Sequence, residues 1–83
     1  MANLPKPLRR EQIMREALAM AHKQGFEAIT CHEVARRCKC AYRTVQRQYR
    51  NRLILLESLV KYAELVGDGQ IVATGKRLLD EKD

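Results

Sequence analysis

Apolar residues fall at helical rather than strand spacing along most of the chain, and breaks in that spacing mark out successive helices. Ile13, Met14, Ala17, Leu18, Met20 and Ala21 form one apolar face of a helix predicted from about Arg9 to Gln24, with Gly25 as its stop. Phe26 and Ile29 lie in a short link that covers the start of the next helix. There Cys31, Val34, Ala35 and Cys38 recur at i, i+3, i+4 and i+7 and make a second stripe, which ends at Cys38. Thr30 followed by Glu33 predicts a capping box: the hydroxyl takes a free backbone N–H while the carboxylate reaches back to the cap, so this helix starts at Cys31. After the turn Cys38-Lys39-Cys40, a third helix is predicted from Ala41 to about Arg50. Val45 and Tyr49 lie on its inner side, and Arg43, Arg47 and Arg50 on its outer side.

A fourth helix, capped by Asn51, is predicted from Arg52 to about Val66. Its polar stripe is only Glu57, Lys61 and Glu64, so it needs cover on two sides. Gly67-Asp68-Gly69 ends it. In the tail, Ile71, Val72, Leu78 and Leu79 have helix-like spacing, but Gly75 interrupts it, and a short strand over 70–74 fits as well; residues 80–83 read as a frayed end. At the other end Pro5 and Pro7 argue against helix and for an extended basic arm over residues 1–8, destined either for a minor groove or for solvent. The expected fold is all-α, with four or five short helices. Residues 9–52 form the helix-turn-helix unit and residues 53–83 a dimerising segment of the same domain.

Charge sharpens this picture. The 83-residue chain carries a formal charge of +6, and no Asp or Glu stands between Glu33 and Glu57, where Arg36, Arg37, Lys39, Arg43, Arg47, Arg50 and Arg52 lie. A cluster of one sign points to phosphates. No apolar run reaches the roughly 18 residues of a membrane span, and the first ten residues lack the apolar core of a signal peptide, so a cytoplasmic protein is expected. Cys31, His32, Cys38 and Cys40 are four potential zinc ligands, but they lack the usual paired spacing, and the cysteines suit buried reduced thiols; no metal is expected. His22, read as a surface residue, and His32 have no catalytic company, and there is no phosphate-binding glycine loop. Neither an enzyme nor a cofactor is expected.

The stretch from Gly25 to Leu56 resembles the amino-terminal helix-turn-helix of TetR-type repressors. The register holds without gaps at Gly25, Phe26, Thr30, Val34, Ala35, Thr44, Val45, Tyr49 and Leu55. It departs from the family pattern at Lys39 for Gly, Ala41 for a capping Ser, Gln46 for Tyr and Arg52 for Lys. The resemblance implies that Tyr42, Arg43, Thr44, Gln46 and Gln48 face DNA, with Thr30 and Arg52 on phosphates. From side-chain chemistry, Arg43, Gln46, Arg47 and Gln48 can read base edges, and Arg50 joins the phosphate contacts.

The expected function is sequence-specific binding of double-stranded DNA by a transcriptional repressor that occupies a palindromic operator as a homodimer. Leu55, Leu59, Tyr62 and Val66 of the fourth helix are the expected interface. Family members carry a larger inducer-binding domain, whereas about thirty residues follow the motif here. The expectation is therefore a compact repressor without a small-molecule inducer, of the kind plasmids and phages encode, or else a piece of a longer regulator. An architectural or recombination-assisting DNA protein and a helical protein-interaction module are the alternatives.

Overall fold

Local capping chemistry sets most of the helix boundaries. The computed structural model describes residues 6–80, and among them every element is helical: α1 (Lys6–Gln24), a 3-10 turn (Phe26–Ala28), α2 (Cys31–Cys38), α3 (Tyr42–Gln48), α4 (Arg52–Val66) and α5 (Gly69–Asp80). The all-α expectation holds. Gly25 adopts φ 87°, which a side chain would resist, and turns the chain out of α1. Thr30 Oγ1 accepts from the Glu33 N–H at 3.1 Å, and Asn51 Oδ1 accepts from the Ile54 N–H at 2.9 Å, so α2 and α4 start where their caps predict. Gly67, at φ 78°, closes α4: its N–H bonds to Glu64 O, and the next N–H, of Asp68, bonds to Ala63 O at 2.8 Å.

The two ends of the chain differ from expectation. Residues 1–5 of the proposed arm lie outside the described residues, as do 81–83. Lys6 to Leu8, however, are the first turn of α1 and not an extended arm. Pro7 is tolerated there because N–H groups in a first turn have no helical partner to lose. The tail is helix α5, with no strand over 70–74. Asp68 starts it by accepting from the Ile71 N–H at 3.2 Å, and its other carboxylate oxygen lies 2.5 Å from His22 Nε2, which ties α5 to the end of α1. His22 is exposed, yet it is not an idle surface residue.

Gly75, which weakened the sequence case for a helix, is what lets α5 pack. It is buried, and a Cβ placed there would overlap Val60 Cγ2 and lie 3.2 Å from Phe26 Cζ. The missing side chain is the space through which α5 approaches α4 and the 3-10 turn. The cost of Gly in a helix, about 1 kcal/mol against Ala, is offset by that contact.

The core is continuous. Ile13, Ile29, Val34, Val45, Leu55 and Leu59 are 0 % exposed, each from a different part of the chain or a different turn. α4 is its axis, packed on α1 and α5 and burying Leu55, Leu56, Leu59, Val60 and Ala63. This corrects the expected dimer interface: Leu55 and Leu59 are inside the protomer, because the two apolar sides of α4 are covered by α1 and α5. Tyr62 is half-buried against the core, and only Val66, 52 % exposed, stands on the surface. The surface it shares holds Leu65, at 84 % exposure.

Gly75→Ala is expected to destabilise the fold by about 1–3 kcal/mol, the usual cost of overpacking, despite the better helix propensity of Ala. Gly69→Ala, with nothing within 4 Å of its Cβ, should be neutral or slightly stabilising. Thermal unfolding followed by circular dichroism checks both. A Gly75→Ala midpoint at or above wild type would overturn the close-packing account.

Candidate nucleic-acid interface

The basic stretch is carried by α2, the turn and α3. Cys31, Val34, Ala35 and Cys38 bury one face of α2, and Val45 and Tyr49 anchor α3 beneath it. The turn is a tight helix-ending motif: Lys39 N–H bonds to Arg36 O at 3.2 Å and Cys40 N–H to Ala35 O at 3.0 Å. Lys39 itself sits at φ 56°, ψ 42°, the left-handed conformation that favours glycine, so the turn stores on the order of 1–2 kcal/mol of strain. The thiols help to hold this unit. Cys31 Sγ lies 3.9 Å from Tyr49 O and Cys38 Sγ 4.0 Å from Gln12 O, both weak bonds directed inward. His32 points elsewhere, and among the described residues no three His, Cys, Asp or Glu side chains are grouped to hold a metal ion.

α3 is shorter than predicted. It begins at Tyr42, ends at Gln48, and gets no side-chain bond from its N-cap, Ala41. Arg50 therefore lies past the helix and not on its third outer position, because Tyr49 turns to extended backbone to bury its ring. Arg43, Gln46, Arg47 and Arg50 are exposed, Tyr42 is 36 % exposed and Thr44 is half-buried. Gln48 is turned back to α1, its Oε1 accepting from Arg10 Nε at 2.7 Å. That bond brings Arg10 to the flank of α3.

The acid-free stretch is partly neutralised by the fold. Glu16 of α1 pairs with Arg37 at 3.2 Å, and Glu33 lies 4.0 Å from Arg36 in place of reaching back to the cap. Among the described residues no carboxylate lies within 4.0 Å of Lys39, Arg43, Arg47 or Arg50. All four are exposed.

Arg52 has another task. Its Nε donates to Ile29 O at 2.8 Å and its Nη2 to Phe26 O at 2.9 Å, so the guanidinium fastens the first turn of α4 to both ends of the 3-10 turn. Thr30, expected on a phosphate, is the residue directly after this clamp and caps α2. Sequence reasoning also missed one member of the surface. The ring of His32 stacks on Tyr42, with centroids 3.9 Å apart and planes at 13°. The pairing depends on how the turn brings two helices together, and no local spacing announces it.

In comparisons with known proteins, no family model, no curated protein and no solved structure matches this chain.

Burial pushes the Cys38 thiol up to about 11, with Cys40 and Glu16 adding to the shift, and burial also raises Cys31. A neutral thiol in the folded state and a lower pKa in the unfolded chain mean stability that is whole below about pH 9 and lost as pH rises toward 11. The melting midpoint should fall across that window, and fall less in Cys38→Ala. An equal fall in both proteins would remove Cys38 as the cause. At pH 8 an alkylating reagent should modify half-buried Cys40 before Cys31 or Cys38, as peptide mapping would report.

Lys39→Gly should relieve the turn. The gain is smaller than the strain itself because Gly also loosens the unfolded chain, leaving a net stabilisation of up to about 1 kcal/mol. Chemical denaturation measures it, and a destabilised variant would mean that Lys39 makes compensating contacts.

Proposed function

We propose that this chain binds double-stranded DNA in a sequence-specific manner, with α3 in the major groove, and acts as a transcriptional regulator. The observation that carries the reading is the set of Lys39, Arg43, Arg47 and Arg50, exposed and, among the described residues, without a carboxylate within 4.0 Å, along and beside a short helix that Val45 and Tyr49 anchor in the core. A solvated helix face usually mixes signs. The resemblance of Gly25 to Leu56 to the TetR-type motif supports the same reading. Arg43, Gln46 and Arg47 are the base readers, since Arg pairs bidentately with guanine and Gln with adenine; Tyr42 and Thr44 flank them. Arg50 and Thr30 contact phosphates. Gln48 reads DNA only by exchanging its bond to Arg10, and Arg52 positions the frame.

Repression by a homodimer on a palindromic operator is the form of this function we favour. One seven-residue helix covers few base pairs, whereas two related by a two-fold axis read two half-sites. Leu65 and Val66, exposed beside half-buried Tyr62 at the end of α4, are the apolar surface for that pairing.

Selection of bound DNA from a random pool, followed by titration at several salt concentrations, tests the reading. A strong consensus with a large specificity ratio is expected; weak, uniform binding would favour an architectural protein, and no binding would sink the proposal. Arg47→Ala should cost about 1–3 kcal/mol of discrimination, and Arg50→Ala should weaken all sequences and lower the salt slope by about one unit. Arg52→Ala should instead lower the melting midpoint, because two bonds from a charged group are lost. Light scattering should give twice the 9.6 kDa chain mass, reduced to monomer by Leu65→Glu without unfolding.

A further inference from the structure

We infer that His32 is a positioning residue for the DNA-reading helix: its ring clasps Tyr42 and steadies the first turn of α3, which has no side-chain N-cap. The inference rests on the DNA-binding reading and names a residue which that reading does not use. Three observations converge on it. α3 is seven residues long, too short to hold itself together, since isolated helices below roughly 12 residues are marginal in water. Its N-cap is Ala41, which makes no side-chain bond, so the first backbone N–H groups of α3 have no local acceptor from a cap. Tyr42, the first residue of α3, is nonetheless fixed, because its ring lies 3.9 Å from that of His32 with the planes 13° apart.

The clasp sits on the outer side of the motif. His32 is the second residue of α2, whose own start is well held by Thr30, so a firmly capped helix lends its order to an uncapped one. Val34 and Val45 are buried on the core side of the same two helices, both at 0 % exposure. With one contact below and one above, α3 is prevented from rocking about the strained Lys39 turn. Arg43 is the residue after Tyr42. A displaced first turn would move its guanidinium, and base readout tolerates little displacement.

The test uses the full chain and a DNA site selected with it. His32→Ala, His32→Phe, Ala41→Ser and the double variant His32→Ala with Ala41→Ser are compared with wild type by titration at fixed salt. His32 is exposed, so these variants should fold, and circular dichroism checks that. An aromatic pair is worth about 0.5–1.5 kcal/mol, so His32→Ala should weaken specific binding about twofold to tenfold. His32→Phe keeps a ring but no N–H and should bind within about twofold of wild type. Ala41→Ser supplies the missing cap and should restore much of the loss in the double variant. Wild-type affinity for His32→Ala would overturn the inference. So would a His32→Phe protein as weak as His32→Ala, which would mean that His32 acts by donating a hydrogen bond to DNA.

A DNA-free measurement separates this inference from the reading beneath it. Ring-current shifts on the His32 ring protons should vanish in Tyr42→Leu, and amide exchange across Thr44 to Gln46 should speed up in His32→Ala. If the selection yields no DNA site, the DNA-binding reading fails, and the exchange experiment still decides whether the clasp orders α3. Unchanged exchange would overturn the clasp.

Discussion

Two hydrogen bonds from one guanidinium hold the working half of the molecule in register with its core. Arg52 stands in the first turn of α4, the helix around which the others pack, and reaches the carbonyls of Phe26 and Ile29. Those carbonyls bracket the 3-10 turn that leads into Thr30, and Thr30 is the cap of α2. The position of α2, and through it that of the Lys39 turn and α3, is thus referred to α4 by a rigid planar group. A lysine there could donate to both carbonyls but would hold them less rigidly, because its ammonium sits on a flexible stem without the planar fork.

The charges around the motif are sorted by the same geometry. Arg36 and Arg37 lie on α2 near Glu33 and Glu16, Arg10 on α1 is occupied with Gln48, and Arg52 is turned inward. Among the described residues, Lys39, Arg43, Arg47 and Arg50, in the turn, in α3 and just after it, are exposed with no carboxylate within 4.0 Å. A run of seven positive residues in the sequence thereby becomes a smaller cluster with a direction. Partial neutralisation at the rim reduces self-repulsion in the folded chain, and the centre keeps its field.

Elements whose signals are local were legible in the sequence. Thr30 and Asn51 cap helices with side chains that reach only three residues, and Gly25 and Gly67 adopt backbone conformations that a glycine takes without penalty. The stripe from Cys31 to Cys38 is buried as its spacing indicates. Other features depend on partners far along the chain. Gly75 reads as a helix breaker until Val60 and Phe26 are placed against it, and Leu55 and Leu59 read as surplus apolar surface until α1 and α5 cover them. Arg52 reads as a phosphate ligand until the 3-10 turn offers its carbonyls. His32 reads only as a candidate catalyst or metal ligand, since its stacking partner is ten residues away across a turn. Pro7 misled for a simpler reason: a rule that holds for helix interiors does not hold for a first turn.

The attachment of α5 depends on what its residues leave out as much as on what they supply. That helix buries only Ile71 and Gly75 completely, and its first turn hangs on Asp68, a single side chain that serves both as cap and as the partner of His22. α5 nonetheless lies close along α4, with Gly75 against Val60 and Phe26, so a helix with few fully buried residues is held by backbone proximity more than by large side chains. Any side chain added at position 75 would therefore push apart the two helices that cover that side of the core.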